Sequence, residues 1–82
     1  MNEIINESIK VFVSFNGQKV KPLALEWRGR QYKVRNVNLV YYAREEGRKI
    51  YYFSVNDEAN CFNLRFDPET LIWRLQEIYN EG

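Results

Sequence analysis

Between positions 27 and 35 the sequence W-R-G-R-Q-Y-K-V-R places aromatic and basic side chains around one glycine. Arginine and lysine neutralise phosphates, and an indole or phenol ring can stack on a nucleobase. Tryptophan and arginine are also common anchors of protein interfaces. The residue types therefore indicate a contact surface for nucleic acid or for a protein partner. Its candidate residues are Trp27, Arg28, Arg30, Lys33 and Arg35.

The same stretch has the pattern of a β-hairpin tip. With Arg28-Gly29 as a two-residue turn, the apolar alternation on both sides falls into one register. Gly29 supplies the backbone freedom that such a turn needs. The predicted pairs are Trp27 with Arg30, Leu25 with Tyr32 and Leu23 with Val34 on one face, and Ala24 with Lys33 and Glu26 with Gln31 on the other. In this register Trp27 and Arg30 lie side by side, where the guanidinium could stack on the indole.

Residues typical of catalytic or metal sites are scarce. The chain has no histidine, which removes the commonest general base and the commonest metal ligand. Cys61 is the single cysteine, and we interpret it as a strand residue rather than a nucleophile. Asp67 and Glu69 could meet a hard cation, but two carboxylates are too few for an oxygen shell. We expect no enzymatic activity, no catalytic residue, no metal and no cofactor.

Charge is uneven along the chain although the net charge is only +1. Residues 10–49 carry ten Lys or Arg against three Glu, whereas residues 50–82 carry two Arg against six acids. A basic half can mark a surface that binds a polyanion. Strands that cross in the fold could instead mix the two signs on solvated faces. The sequence leaves both interpretations open.

The 82 residues are sufficient for one domain, residues 1–82, whose small core must be economical. A single cysteine and the lack of a leader pattern favour a cytoplasmic protein. No apolar stretch approaches the roughly 20 residues that span a bilayer, so we expect no membrane insertion.

Alternation predicts strands in the first half of the chain. Residues 8–15 alternate, and Asn16-Gly17 is the dipeptide most typical of a type I′ turn, which pairs Phe15 with Gln18. The apolar parity then changes, which predicts a bend near Lys21-Pro22. A second irregularity is predicted at Arg35-Asn36. Residues 37–42 are apolar on both faces, which favours a central strand.

The second half predicts further hairpins. Residues 44–48 form a charged loop, residues 49–55 a strand and residues 56–60 a turn. Residues 61–66 place Phe62, Leu64 and Phe66 on one face. The last segment fits either a helix at 69–80, capped by Asp67, or a strand with Leu71, Trp73 and Leu75 on one face.

Several motifs resemble a family of small uncharacterised bacterial domains. They are W-R-G-R-x-Y-x-V at 27–34, Tyr51 and Tyr52 together, L-R-F-D at 64–67 and W-R-L at 73–75. The resemblance covers residues 7–79 and implies a strand rather than a helix for residues 71–79. Some members are encoded beside error-prone Y-family DNA polymerase components. The resemblance therefore implies that the protein partner could be a component of a DNA-repair polymerase.

These observations predict a mainly β fold, a small curled antiparallel sheet or partly open barrel of five to seven strands. The alternative is an α+β fold with a C-terminal helix at 69–80. We expect a non-catalytic protein-interaction module that uses exposed aromatics or a free sheet edge. The alternative is a nucleic-acid-binding small barrel that uses the hairpin at 27–35. The sequence does not indicate an oligomeric state.

Overall fold

The computed structural model describes residues 2–80, which form one antiparallel sheet of seven strands without a helix. The strands are β1 (Asn2–Asn16), β2 (Lys19–Trp27), β3 (Arg30–Lys33), β4 (Asn36–Glu45), β5 (Arg48–Asn56), β6 (Asn60–Asp67) and β7 (Ile72–Asn80). Their order across the sheet is β3-β2-β1-β7-β6-β5-β4. The mainly β prediction is confirmed. The helix alternative is wrong, because residues 72–80 lie between β1 and β6 as a strand. No helix that could cross a bilayer occurs in residues 2–80.

The sheet curls so that its apolar face is concave. Tyr32 of the edge strand β3 packs on Phe62 of β6 with ring centroids 5.3 Å apart, although three strands lie between them in the sheet. The curl does not close the sheet, and β3 and β4 remain as its two edges. The buried core comprises Leu25, Phe53, Val55, Phe62, Leu64, Phe66, Trp73, Leu75 and Ile78.

The second hairpin has the register that the sequence predicts. Leu25 pairs with Tyr32 and Trp27 with Arg30 across the turn. Arg28 and Gly29 both have positive φ, 53° and 76°, as a type I′ turn requires. The charged loop predicted at 44–48 is a tighter turn of the same kind at Glu46-Gly47.

The first hairpin differs from the prediction by one position. Asn16 pairs with Lys19, so the turn is Gly17-Gln18 rather than Asn16-Gly17. Gly17 has a φ of 63° and Gln18 does not have a positive φ, which is the pattern of a type II′ turn with glycine first. Further along, Phe12 pairs with Ala24 and Val13 pairs with Pro22, so Leu23 has no partner on β1 and forms a bulge. This bulge is the bend predicted near Lys21-Pro22.

The prediction of a central position for residues 37–42 is wrong, because β4 is an edge strand. β4 pairs with β5 on one side, and its other edge has no strand partner within residues 2–80. Residues 34–35 carry the chain from one edge of the sheet to the other. Their amides donate hydrogen bonds to the carbonyl oxygens of Leu23 at 2.9 Å and Asn56 at 2.8 Å. This crossing accounts for the irregularity predicted at Arg35-Asn36.

The turn before β7 differs from the prediction in the position of Leu71. Leu71 does not share the buried face of Trp73 and Leu75, because it precedes the strand and is 70% exposed. Its φ of 62° is unusual for leucine. The backbone amide of Leu71 donates to the carbonyl oxygen of Asp67 at 2.8 Å. The buried carboxylate of Asp67 accepts a hydrogen bond from Arg48, which ties this turn to β5.

Candidate interaction surfaces

Trp27 and Arg28, at the tip of the second hairpin, are held by an acidic residue of β1. The indole Nε1 of Trp27 donates to Glu7 Oε1 at 3.0 Å, and Arg28 Nη2 lies 2.6 Å from Glu7 Oε2. The Arg28 guanidinium lies 4.6 Å from the centre of the Trp27 ring. The cation that contacts the indole is therefore Arg28, and the predicted contact with Arg30 is wrong. We call Glu7, Trp27 and Arg28 the Glu7 cluster.

The Glu7 cluster changes the acidity of its carboxylate. The hydrogen bond from Arg28 and then that from Trp27 hold the pKa of Glu7 below its ordinary value, because both donors favour the ionised form. Because the pKa of Glu7 is lower in the folded state, the two hydrogen bonds to its carboxylate stabilise the fold at pH values above the ordinary glutamate pKa. This stabilisation is lost as the pH falls through the folded value.

We therefore expect the indole N–H resonance of Trp27 to move with pH at a midpoint below the ordinary glutamate pKa. The Glu7→Gln variant should remove this titration, and the indole of Trp73 serves as an internal control because it lies in the core. Two-dimensional NMR over an acid pH series measures both. A Trp27 resonance that stays constant while the protein remains folded would contradict the cluster.

The other three candidate residues face a different region. Arg30 lies 5.7 Å from the Tyr32 ring centre. β3 ends at Lys33, so Arg35 belongs to the crossing segment. Arg30, Lys33 and Arg35 line a shallow depression of about 780 Å³. Asp57 and Glu58 line the same depression, and Arg35 Nη2 is 3.8 Å from Glu58 Oε1. The five candidate residues therefore do not form one purely cationic surface.

Ion pairs join the basic half of the chain to the segments outside it. Arg28 pairs with Glu7, Arg35 with Glu58, Arg48 with Asp67 and Glu69, and Glu45 with Arg65. Each pair contains one residue from 10–49 and one from outside that range. The fold thus places opposite charges together, as the second interpretation of the charge pattern expects.

β4 presents a surface that the sequence interpretation did not assign as a site. Four consecutive side chains of this edge strand, Leu39, Val40, Tyr41 and Tyr42, are between 48% and 57% exposed. They alternate between the two faces of the sheet. Tyr41 stacks on Tyr52 with centroids 5.1 Å apart, and Tyr42 packs near Tyr51 at 6.2 Å. The sequence signal for this surface is the apolar pattern on both faces of residues 37–42. When such a strand lies at the edge of a sheet, part of its apolar surface stays exposed.

Residues 2–80 contain no group of three or more His, Cys, Asp or Glu side chains that could hold a metal ion. Cys61 is half-buried on β6, and its Sγ lies 3.4 Å from Ser54 Oγ. Three features described above are candidate surfaces for recognition: the Glu7 cluster, the depression beside Arg35 and the edge of β4.

Comparison of the chain with protein-family models, curated proteins and solved structures finds no match. The resemblance to the family of small bacterial domains stays a prediction that rests on the motifs themselves.

Proposed function

We propose that this protein is a non-catalytic interaction module that binds an extended segment of a protein partner along the free edge of β4. The observation that carries the proposal is the row Leu39, Val40, Tyr41 and Tyr42, exposed on a ten-residue edge strand. Proteins commonly protect such an edge with charged side chains, proline or a covering element. An added strand would cover the apolar side chains and pair the backbone groups of the edge.

The regular part of β4 limits the length of the added strand. The pairing of β4 with β5 shifts between Val37 and Leu39, so Asn38 is an extra residue, whereas residues 39–45 pair without interruption. A bulge bends and twists an edge. The partner strand should therefore pair with residues 39–45.

Charge at the end of β4 indicates the partner's chemistry. Arg44 is exposed and Lys49 lies over the Tyr42 ring at 4.1 Å, and neither forms an ion pair with a carboxylate of the described chain. Glu45 is already engaged by Tyr52 and by Arg65 at 2.9 Å, and these contacts lower its pKa. The best partner is an apolar extended segment with an acidic residue beside Arg44. A Y-family polymerase component is the first protein to test, because the resemblance implies it.

Two lysines on the exposed edge test the proposal. We expect the Leu39→Lys/Tyr41→Lys variant to lose the partner by about 100-fold in affinity, since it removes central apolar contacts and places two charges on the edge that the added strand must cover. Phe12→Lys/Ile72→Lys is the matched control, because each of these residues is 48% exposed and lies on another strand. Calorimetric titration with the purified polymerase component measures both variants.

Hydrogen exchange locates the contact. In the complex, amides of residues 39–45 should exchange more slowly, whereas those of β3 should not change. Protection of the hairpin at 27–35 instead would contradict the docking site. Sedimentation equilibrium of the protein alone tests whether a second copy of the chain binds this edge. If the native protein forms a dimer and the Leu39→Lys/Tyr41→Lys variant is a monomer, the occupant of the β4 edge is a second copy rather than another protein.

Nucleic-acid binding has weaker geometric support, because Glu7 engages Arg28 and Glu58 lies beside Arg35. Reversal of the charges of Arg28, Arg30, Lys33 and Arg35 together tests it. If the alternative held, the native protein would bind labelled single-stranded DNA or RNA at low salt and the reversed variant would not. We expect no such difference in fluorescence anisotropy.

A further inference from the structure

An apolar groove opens at one end of the curled sheet. The first hairpin, strands β4 and β5, and the turn at residues 68–71 enclose a space of about 650 Å³. Ligand sites in proteins commonly measure about 300 to 1,000 Å³ and are lined mainly by apolar and aromatic side chains. The groove is therefore large enough for a small organic molecule.

The lining of the groove is almost entirely apolar. The buried rings of Phe53 and Phe66 line it, together with the half-buried side chains of Val20, Val37 and Tyr51. None of its lining residues is an aspartate or a glutamate. This composition favours a hydrocarbon chain, because each methylene that leaves water for such a surface adds to binding.

Two cations lie at the rim of this groove. Lys19 and Lys21 are exposed residues of β2 that line the same space, and neither forms an ion pair with a carboxylate of residues 2–80. The depression beside Arg35 differs, because Asp57 and Glu58 share its wall. Among the described residues, the apolar groove combines unpaired ammonium groups with a hydrocarbon surface that has no acid.

We propose that the apolar groove binds a free long-chain carboxylate, a fatty acid, with its headgroup at Lys19 and Lys21 and its chain against Phe53 and Phe66. Ammonium groups at a rim attract a carboxylate, and the apolar lining would repel a second charge further inside. The site goes beyond the proposed protein interaction, which uses the edge of β4 at residues 39–45. Val40 lines the groove and also belongs to that edge, so the tests leave it unchanged.

Titration with sodium laurate by isothermal calorimetry tests the charge requirement. The Lys19→Glu/Lys21→Glu variant should bind laurate about tenfold more weakly, because two partly exposed ion pairs become repulsions. Lys10→Glu/Lys33→Glu makes the same change of charge on exposed residues outside the groove and should bind as the native protein does. Dodecanol and dodecylamine, which lack the carboxylate, should bind more weakly than laurate.

A second variant tests the position of the chain. Val20→Trp places an indole in the groove and should abolish laurate binding while the amide spectrum stays dispersed. Laurate should shift the NMR resonances of Phe53 and Phe66 in the native protein. The proposal is overturned if laurate does not bind at about 1 mM, if the two lysine variants behave alike, or if dodecylamine binds as well as laurate. Shifts confined to residues outside the groove would also overturn it.

Discussion

Replacement of Trp73 by alanine is expected to lower the free energy of unfolding by about 3 to 5 kcal/mol. Trp73 is 7% exposed on β7. Its ring stacks on Phe66 at 4.5 Å and packs on Phe53 at 5.2 Å. Both phenylalanines lie on strands held by ladders on each side, so they cannot move into the space that the indole leaves. The loss therefore includes a cavity as well as buried apolar surface.

Urea unfolding measures this loss, and two further variants keep it interpretable. Trp73→Phe retains a ring in the core and should lose less, which gives a measurable value even if the alanine variant is unfolded. Trp27→Ala removes an indole that is only half-buried at the hairpin tip, and we expect about 1 to 2 kcal/mol. A loss below about 1 kcal/mol for Trp73→Ala would show that this face of β7 is not in the core.

The accuracy of the sequence prediction differs between the two N-terminal hairpins for a physical reason. Around Gly29, the glycine and the alternation on both sides agree on a single register, and the structure has that register. Around Gly17, a type I′ turn at Asn16-Gly17 and a type II′ turn at Gly17-Gln18 are both compatible with glycine. With the turn at Gly17-Gln18, the bulge at Leu23 restores the pairing of the apolar residues of β1 and β2 beyond it. Local propensity could not decide between registers that differ by one residue.

The position of β4 could not be predicted from periodicity. An apolar pattern on both faces of a strand indicates that both faces can contact apolar groups. It does not indicate whether the strand has one neighbour in the sheet or two. Within residues 2–80, five of the six strand pairings join strands adjacent in the sequence, and only the pairing of β1 with β7 is distant. That one pairing places β7 in the middle of the sheet and leaves β4 at an edge.

The contacts of the candidate site depended on the same long-range arrangement. The sequence placed Trp27 and Arg28 correctly at a hairpin tip, but Glu7 is 20 residues away from Trp27 along the chain. Glu58 reaches Arg35 only because the crossing segment passes the turn before β6. An amphipathic pattern identifies which side chains are exposed, whereas their ion-pair partners follow from the tertiary fold.

Removal of β7 is expected to have the largest effect on this protein. A chain that ends at Thr70 should show no cooperative unfolding transition, because β7 joins β1 and β6 and carries Trp73, Leu75 and Ile78 of the core. Without it the sheet separates into two groups of three strands, β3-β2-β1 and β6-β5-β4. Each group would expose the apolar face that it now buries against the other. Circular dichroism and amide NMR during urea titration measure the loss.

Addition of a peptide with residues 71–80 shows whether the shortened chain fails to fold because it lacks β7 or because the rest of the chain is misfolded. The native peptide should restore the dispersed amide spectrum at equimolar ratio, because its insertion completes the ladders of both β1 and β6. A peptide with Leu75→Asp should fail, since it would place a charge at a fully buried position. Cooperative unfolding of the shortened chain without any peptide would contradict this topology. Either group of three strands could then fold alone, and the pairing of β1 with β7 would not be what joins the two groups into one core.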